Sequence, residues 1–375
     1  MNKKIAAIVV IILVIILGLY MFKNKEDSEI KVGWISDLTG PVAKYGAYEA
    51  GTLAMEEINA KGGINGKPLK IIFEDGKCSG KDAVSAMNKL VSIDKVKVVL
   101  GGHCSPESVA IAPIAEKNKV LMLASITGSP VLTNAGDYVF RTTPVVTMQS
   151  ILISNLAYQK LGLKKFAVIY ELTDYARPLA ETFKDNFTKL GGLVPVYEGY
   201  NPGTTDFRTI LEKARSNGVD GLIILPQSPD AGYQLMKQIK ELRIKAKLFG
   251  NDVAGNQKVV NSEPALYEGL VLALPNFDVV NNPKSKAFSD AYNARFNTTV
   301  LPYGIYTAES YDAVYIIADG IAKYGYDVEK LKQYLYSING YDGASGKITI
   351  DANGDGVRDY FLKTIKGGKI VNYDK

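Results

Sequence analysis

The sequence predicts an α/β protein made of two doubly wound parallel-sheet lobes, and three observations carry that expectation. Apolar runs rich in Val and Ile alternate with stretches of helical spacing along almost the whole chain. Those runs lack polar–apolar alternation, the mark of strands covered by helices on both faces. The series then starts again near Gln149, which gives two halves alike in plan rather than one large sheet. The length agrees, because 375 residues exceed the ~250–300 at which a single core stops growing.

Taken in order, KVGWIS (31–36) reads as a strand, and residues 48–61 have helical spacing that stops at Gly62-Gly63, a helix-ending signal. A strand at 69–73, a helix at 81–93, a strand at 96–102, a helix at 106–118 and a strand at 120–125 follow. The second series runs through strands at 164–171, 193–200, 221–227, 247–252 and 268–275, with helices at 178–190, 207–216 and 231–242 between them. Long helices return at 284–296, 306–324 and 328–337, and a closing hairpin is expected from 347–351 and 359–366. Strand–helix–strand units at this spacing wind with right-handed crossovers. No low-complexity linker separates the halves, so their connections are short and multiple, as in a hinge.

Lys3 and Lys4 precede an apolar run of eighteen residues (5–22), followed by a charged stretch at 23–29. A run of that length suits a membrane-spanning helix, and the Lys pair orients it with the bulk of the chain exported. An uncleaved N-terminal transmembrane anchor is the expectation and a cleaved signal peptide the alternative; no small-x-small site and no Cys follow the run. The formal charge of +5 is dispersed, without the basic stripe that nucleic-acid binding requires. In an exported chain the two cysteines, Cys78 and Cys104, read as a disulfide, with two buried free thiols as the alternative. His103 is the only histidine, too few ligands for a transition-metal site, and no cofactor motif is present.

An enzyme is disfavoured, since no nucleophile elbow, P-loop or zinc-protease motif occurs and a lone His beside two cysteines reads as structural. The strand ends are more informative, because open α/β sheets bind ligands at their carboxyl edge. Ser105 before Pro106 reads as a helix N-cap whose free amides suit a carboxylate. Thr127 and Ser129, before Pro130, form a second turn able to hold an anion. From the second half come Tyr175, Gln227 and Asp252, each after a strand; Asp252 suits an ammonium group. A cleft with carboxylate donors on one wall and an ammonium acceptor on the other gives a closing force that depends on ligand. The alternating carboxylates of DANGDGVRD (351–359) suggest either a calcium loop or a tight turn, and Leu362 stands where such a loop needs Glu. Asn186 and Asn297 begin glycosylation sequons.

The succession TGPVAKYG (39–46), EINAKGGINGKPL (57–69), EDGKC (74–78), GGHCS (101–105) and SPVLT (129–133) resembles the periplasmic binding proteins of branched-chain amino acid importers. The likeness covers nearly all of residues 29–375. It implies a bilobal type I fold with three crossovers and a Cys78–Cys104 disulfide. It divides the chain into a segment 1–28, a first lobe of 29–145 plus 276–340, and a second lobe of 146–275 plus 341–375. It also implies a monomer that closes on a small amino acid and docks on the permease subunits of an ABC importer. Carried over residue by residue, the α-carboxylate donors fall on Ser105 and Thr127, and the ammonium acceptor on Asp252. Tyr45, Tyr175 and Tyr306 line or cover the ligand. Three departures stand out. The turn 126–130 is one residue longer than the usual pattern, so that Gly128 or Ser129 can donate instead; Gln227 replaces a common aromatic; and Asp252 replaces the commoner Glu. A binder of amides, urea or aromatic acids, or a ligand-sensing receptor module, are the alternatives on this scaffold.

Overall fold

The computed structural model describes residues 29–374. The expected anchor segment 1–28 lies outside them, and among the described residues no helix is long and apolar enough to cross a membrane.

The first half alternates as expected: β1 (Ile30–Ser36), α1 (Ala47–Ala60), β2 (Leu69–Asp75), α2 (Gly80–Ser92), β3 (Val98–Gly101), α3 (Ser105–Asn118), β4 (Leu121–Ala124) and β5 (Val139–Arg141). Its strands form one parallel sheet in the order β2-β1-β3-β4-β5. Helices cover both faces, which is why its inner strands β3 and β4 are apolar and fully buried. Met87 and Leu90 of α2 pack with Ile111 and Ala115 of α3 on one face, and Ala54 and Ile58 of α1 lie on the other. Gly51 lets α1 approach the sheet closely, since a Cβ there would lie 2.1 Å from the Trp34 ring.

The second half comprises α4 (Thr147–Asn155), β6 (Lys165–Glu171), α5 (Ala176–Lys189), β7 (Leu193–Tyr200), α6 (Arg208–Ser216), β8 (Gly221–Leu225), α7 (Pro229–Glu241), β9 (Lys247–Gly250), α8 (Gln257–Ser262), α9 (Pro264–Tyr267) and β10 (Val271–Pro275). The chain then returns through α10 (Pro283–Phe296), α11 (Ile305–Tyr324) and α12 (Val328–Tyr336) to the first half, where Ile316 and Ile317 of α11 and Leu331 of α12 join the core containing Ile58. It ends in β11 (Tyr341–Gly343), β12 (Gly346–Ile350), β13 (Gly356–Val357), β14 (Tyr360–Lys366) and β15 (Lys369–Asn372). The second sheet has the order β15-β14-β10-β9-β8-β6-β7, parallel except for β14, which runs antiparallel to both its neighbours.

Two expectations change here. The closing hairpin does not form: β12 pairs with β11 and β13, whereas β14 pairs with β10 and β15. Ile348 and Ile350 are also buried in the core of the first sheet, so residues 341–357 pack with the first lobe rather than the second. The reason lies in Asp355, whose carboxylate accepts from Arg141 Nε at 2.7 Å and Thr133 Oγ1 at 2.6 Å and ties this segment to β5. Asp351 caps the same turn by accepting the amides of Asn353 at 2.8 Å and Asp355 at 2.9 Å. Those carboxylates thus build the turn.

The chain passes between the sheets at residues 142–146, 276–282 and 358–359. Two of these passages are knitted together by Glu309 of α11. Its buried carboxylate accepts from Thr143 Oγ1 and lies 3.2 Å from Arg358 Nε, while Arg358 Nη1 donates to Ser345 O at 2.6 Å. Burial pushes the Glu309 carboxyl up to about 7, against the opposing charge of Arg358.

Candidate functional site

The carboxyl ends of both sheets face one cleft. On the first wall, Asp37 after β1 accepts the amides of Gly40 at 2.5 Å and Val42 at 2.7 Å, folding the loop that delivers Tyr45 into the interior. Cys78 and Cys104 form the disulfide, as expected. Glu107 of α3 accepts Cys104 N at 2.7 Å and Cys78 N at 3.0 Å, which clamps both disulfide arms to the start of the helix. Burial pushes the Glu107 carboxyl up to about 8 although both amides oppose the shift. The N-cap is Cys104 rather than Ser105, one residue earlier than the sequence suggests. Ser105 therefore lies in the first turn, and its buried Oγ has no hydrogen-bond partner among the described residues.

On the second wall, Glu171 accepts the amides of Gln227 at 2.7 Å and Ser228 at 3.1 Å and so shapes the loop after β8. Asn251 holds the loop after β9, donating to Pro226 O at 2.7 Å and accepting Ala254 N at 2.9 Å. That geometry presents Asp252, whose carboxylate accepts from Tyr175 Oη. Tyr303, just before α11, lines the same space as Asp252, whose charge acts on its phenol. Burial, and then the Asp252 charge, hold the phenols of Tyr175, Tyr303 and Tyr306 well above their ordinary value, so all three remain neutral donors.

The walls touch. Gln227 Nε2 donates to Cys78 Sγ at 3.1 Å; beside this contact the Tyr303 ring stacks on Tyr45 with centroids 4.0 Å apart. A cavity of about 30 Å³ remains between them, lined by Tyr45, His103, Ser105, Tyr175, Gln227 and Tyr303 among others. Beyond Tyr303 a larger cavity of about 400 Å³ is bordered by Asp252, Tyr306 and apolar side chains such as Leu274 and Leu301. Tyr303 lines both, and Tyr175 of the smaller space donates to Asp252 of the larger.

Of the residues singled out in the sequence, Tyr45, Ser105, Tyr175 and Gln227 line the smaller space, and Asp252 and Tyr306 the larger. Thr127 and Ser129 line neither space. The Thr127 hydroxyl donates to Gly102 O at 3.0 Å and lies 2.7 Å from Ser108 Oγ; the Ser129 hydroxyl accepts Val131 N at 3.3 Å. Buried Arg141 Nη1 takes the Ser129 carbonyl at 2.6 Å, drawing that turn away from the cleft and leaving Ile126 at its surface. Sequence reasoning passed over Tyr303, whose only signal is its place three residues before Tyr306, and read His103 as structural. Asp37, Cys78 and Cys104 are the one grouping of metal-ligand types among the described residues, and the disulfide leaves it no thiolate.

The profile of the family described as periplasmic binding protein matches residues 29–369. The chain belongs to the periplasmic binding protein family. A leucine-, isoleucine-, valine-, threonine- and alanine-binding protein of Pseudomonas aeruginosa is 33% identical over 345 residues, which is 91% of this chain and 90% of that one. Among solved structures, a leucine binding protein of Thermotoga maritima superposes with a TM-score of 0.83 at 26% identity, covering 92% of this chain and 98% of that one. A branched-chain amino acid transporter substrate binding protein of Streptococcus pneumoniae, in complex with isoleucine, gives 0.81 at 28% identity over 91% and 97% of the two chains. As a periplasmic binding protein, the chain has the parallel-sheet α/β architecture that its sequence predicts.

Proposed function

We propose that this chain is an extracytoplasmic substrate-binding protein of an ABC importer that captures an α-amino acid between two closing lobes. The observation that carries the reading is the pairing of Ser105, a buried hydroxyl without a partner at a helix start that shares its space with Tyr175, with Asp252, the buried carboxylate to which Tyr175 donates. The names of the Pseudomonas and Thermotoga relatives, and the isoleucine complex of the Streptococcus protein, support the same class of ligand.

In this reading the ligand carboxylate meets the Ser105 hydroxyl and the amides of the first turn of α3, where the helix dipole favours negative charge. The ammonium meets Asp252, with Tyr175 holding the carboxylate in place. Closure removes water and strengthens each polar contact in the lower dielectric. Residues 1–28 would tether the protein to the outer face of the membrane, and a monomer with lobes divided near residues 145 and 275 would hand its ligand to the permease.

A thermal-shift screen of the full chain in mild detergent tests the class. A ligand at a hundredfold excess over its Kd stabilises the folded state by about 2.7 kcal/mol, a plain rise in Tm. The expected result is a shift with a subset of α-amino acids and none with the corresponding acids lacking the amine. A shift with amides, urea or aromatic acids alone would remove the ammonium role of Asp252.

A further inference from the structure

The smaller half of the cleft holds more unpaired polar atoms than an α-carboxylate needs. Besides Ser105 Oγ, the atoms Tyr45 Oη, His103 Nε2 and Gln227 Oε1 are buried there without hydrogen-bond partners among the described residues. All four side chains are more than nine-tenths buried, at 6%, 5%, 6% and 2% exposure for Tyr45, His103, Gln227 and Ser105. Two of them are oriented by hydrogen bonds on their other side. His103 Nδ1 lies 3.2 Å from Ser36 Oγ, which leaves Nε2 for the cavity, and Gln227 Nε2 is engaged by Cys78 Sγ, which leaves Oε1.

Closing such a wall on an aliphatic side chain would leave these atoms unsatisfied, and an unpaired buried polar group weakens binding on the order of tenfold to a hundredfold. No Asp, Glu, Lys or Arg lines this space among the described residues, so it offers no partner to a charged side chain. His103 is itself neutral, because burial lowers it to about 3.

We propose that the captured amino acid carries a neutral hydrogen-bonding side chain, a hydroxyl or a carboxamide, read by His103 and Gln227 with the help of Tyr45. The inference rests on the amino-acid reading above and narrows it away from aliphatic ligands. A site built to pair a ligand hydroxyl or amide rejects the apolar isostere strongly, because its own groups are then stranded.

The test uses calorimetric titration of the full chain with two near-isosteric pairs, threonine against valine and asparagine against leucine. The polar member of at least one pair should bind about tenfold or more tightly, and the pair concerned separates hydroxyl from carboxamide recognition. Gln227→Leu and His103→Leu should each narrow that ratio by about tenfold, with Tm checking that the variants fold. Valine and leucine binding as tightly as their partners, or more tightly, overturns the proposal while leaving an amino-acid binder; the side chain would then lie in the larger apolar space beyond Tyr303. Failure of every α-amino acid in the screen above overturns both readings together.

Discussion

On the first-sheet side of the cleft Ser105, His103 and Tyr45 present buried polar atoms without partners, whereas on the second-sheet side the Asp252 carboxylate is already held by Tyr175. The difference follows from charge. A neutral hydroxyl or imidazole left unpaired costs about 1–3 kcal/mol, which a folded protein tolerates at a functional site. A buried carboxylate without donors costs far more, so it needs partners before any ligand arrives. The neutral groups, Gln227 Oε1 on the second wall among them, can therefore wait open-handed while the Asp252 carboxylate must be held in advance. Tyr303 borders both spaces and stacks on Tyr45.

That contrast is sharpened first by removing what stands behind the first wall. Arg141 is buried and joins Asp355, Thr133 and the Ser129 carbonyl in one network. Arg141→Ala should lower unfolding stability by about 3–5 kcal/mol in denaturant titration, because it strands the Asp355 carboxylate. A loss under about 1 kcal/mol would show that the turn holds without the network.

Glu107 gives the next effect. Its folded-state value of about 8 lies above the ordinary 4.5, so between those limits the folded chain keeps a proton that the unfolded chain has lost. Stability relative to Glu107→Gln should therefore decline as pH rises from 4.5 to about 8, and level off outside that window. A gap between the two proteins that is independent of pH would contradict the protonated carboxyl.

Ser105→Ala removes the hydroxyl without a partner. Affinity should fall about tenfold while the stability of the ligand-free protein holds or rises slightly, as read by calorimetry and thermal unfolding. Equal losses in both would mean that the hydroxyl serves the fold. Thr127→Val sets the opposite corner of the comparison. Since its hydroxyl bonds Gly102 and Ser108, stability should drop by about 1 kcal/mol and affinity should change less than about threefold. A large loss of affinity would restore Thr127 as a carboxylate donor.

The β-α succession was legible because buried parallel strands are apolar on both faces, and β1, β6 and β8 stand within two residues of the runs read from the sequence. The last segment was less so. β11 and β13 are two- or three-residue strands whose partners are set by the Arg141–Asp355 tie, a contact between residues 214 apart in sequence. Asp252, Tyr175 and Ser105 were readable as polar residues at strand ends. Thr127 lines neither space, and its carbonyl and that of Ser129 are bonded by a buried arginine twelve to fourteen residues later, a contact no local pattern carries. Tyr303 was hidden among 23 tyrosines, and only the stacking on Tyr45 distinguishes it.

The central claim is that the ligand amine meets Asp252. Calorimetric titration of the natural chain and of Asp252→Asn, each against the α-amino acid with the largest thermal shift and against its analogue lacking the amine, tests it directly. The account predicts that losing the charge costs the amino acid about 100-fold in affinity, and that the analogue binds the natural chain and the variant with equal, weak affinity. Equal affinity of both proteins for the amino acid would contradict it.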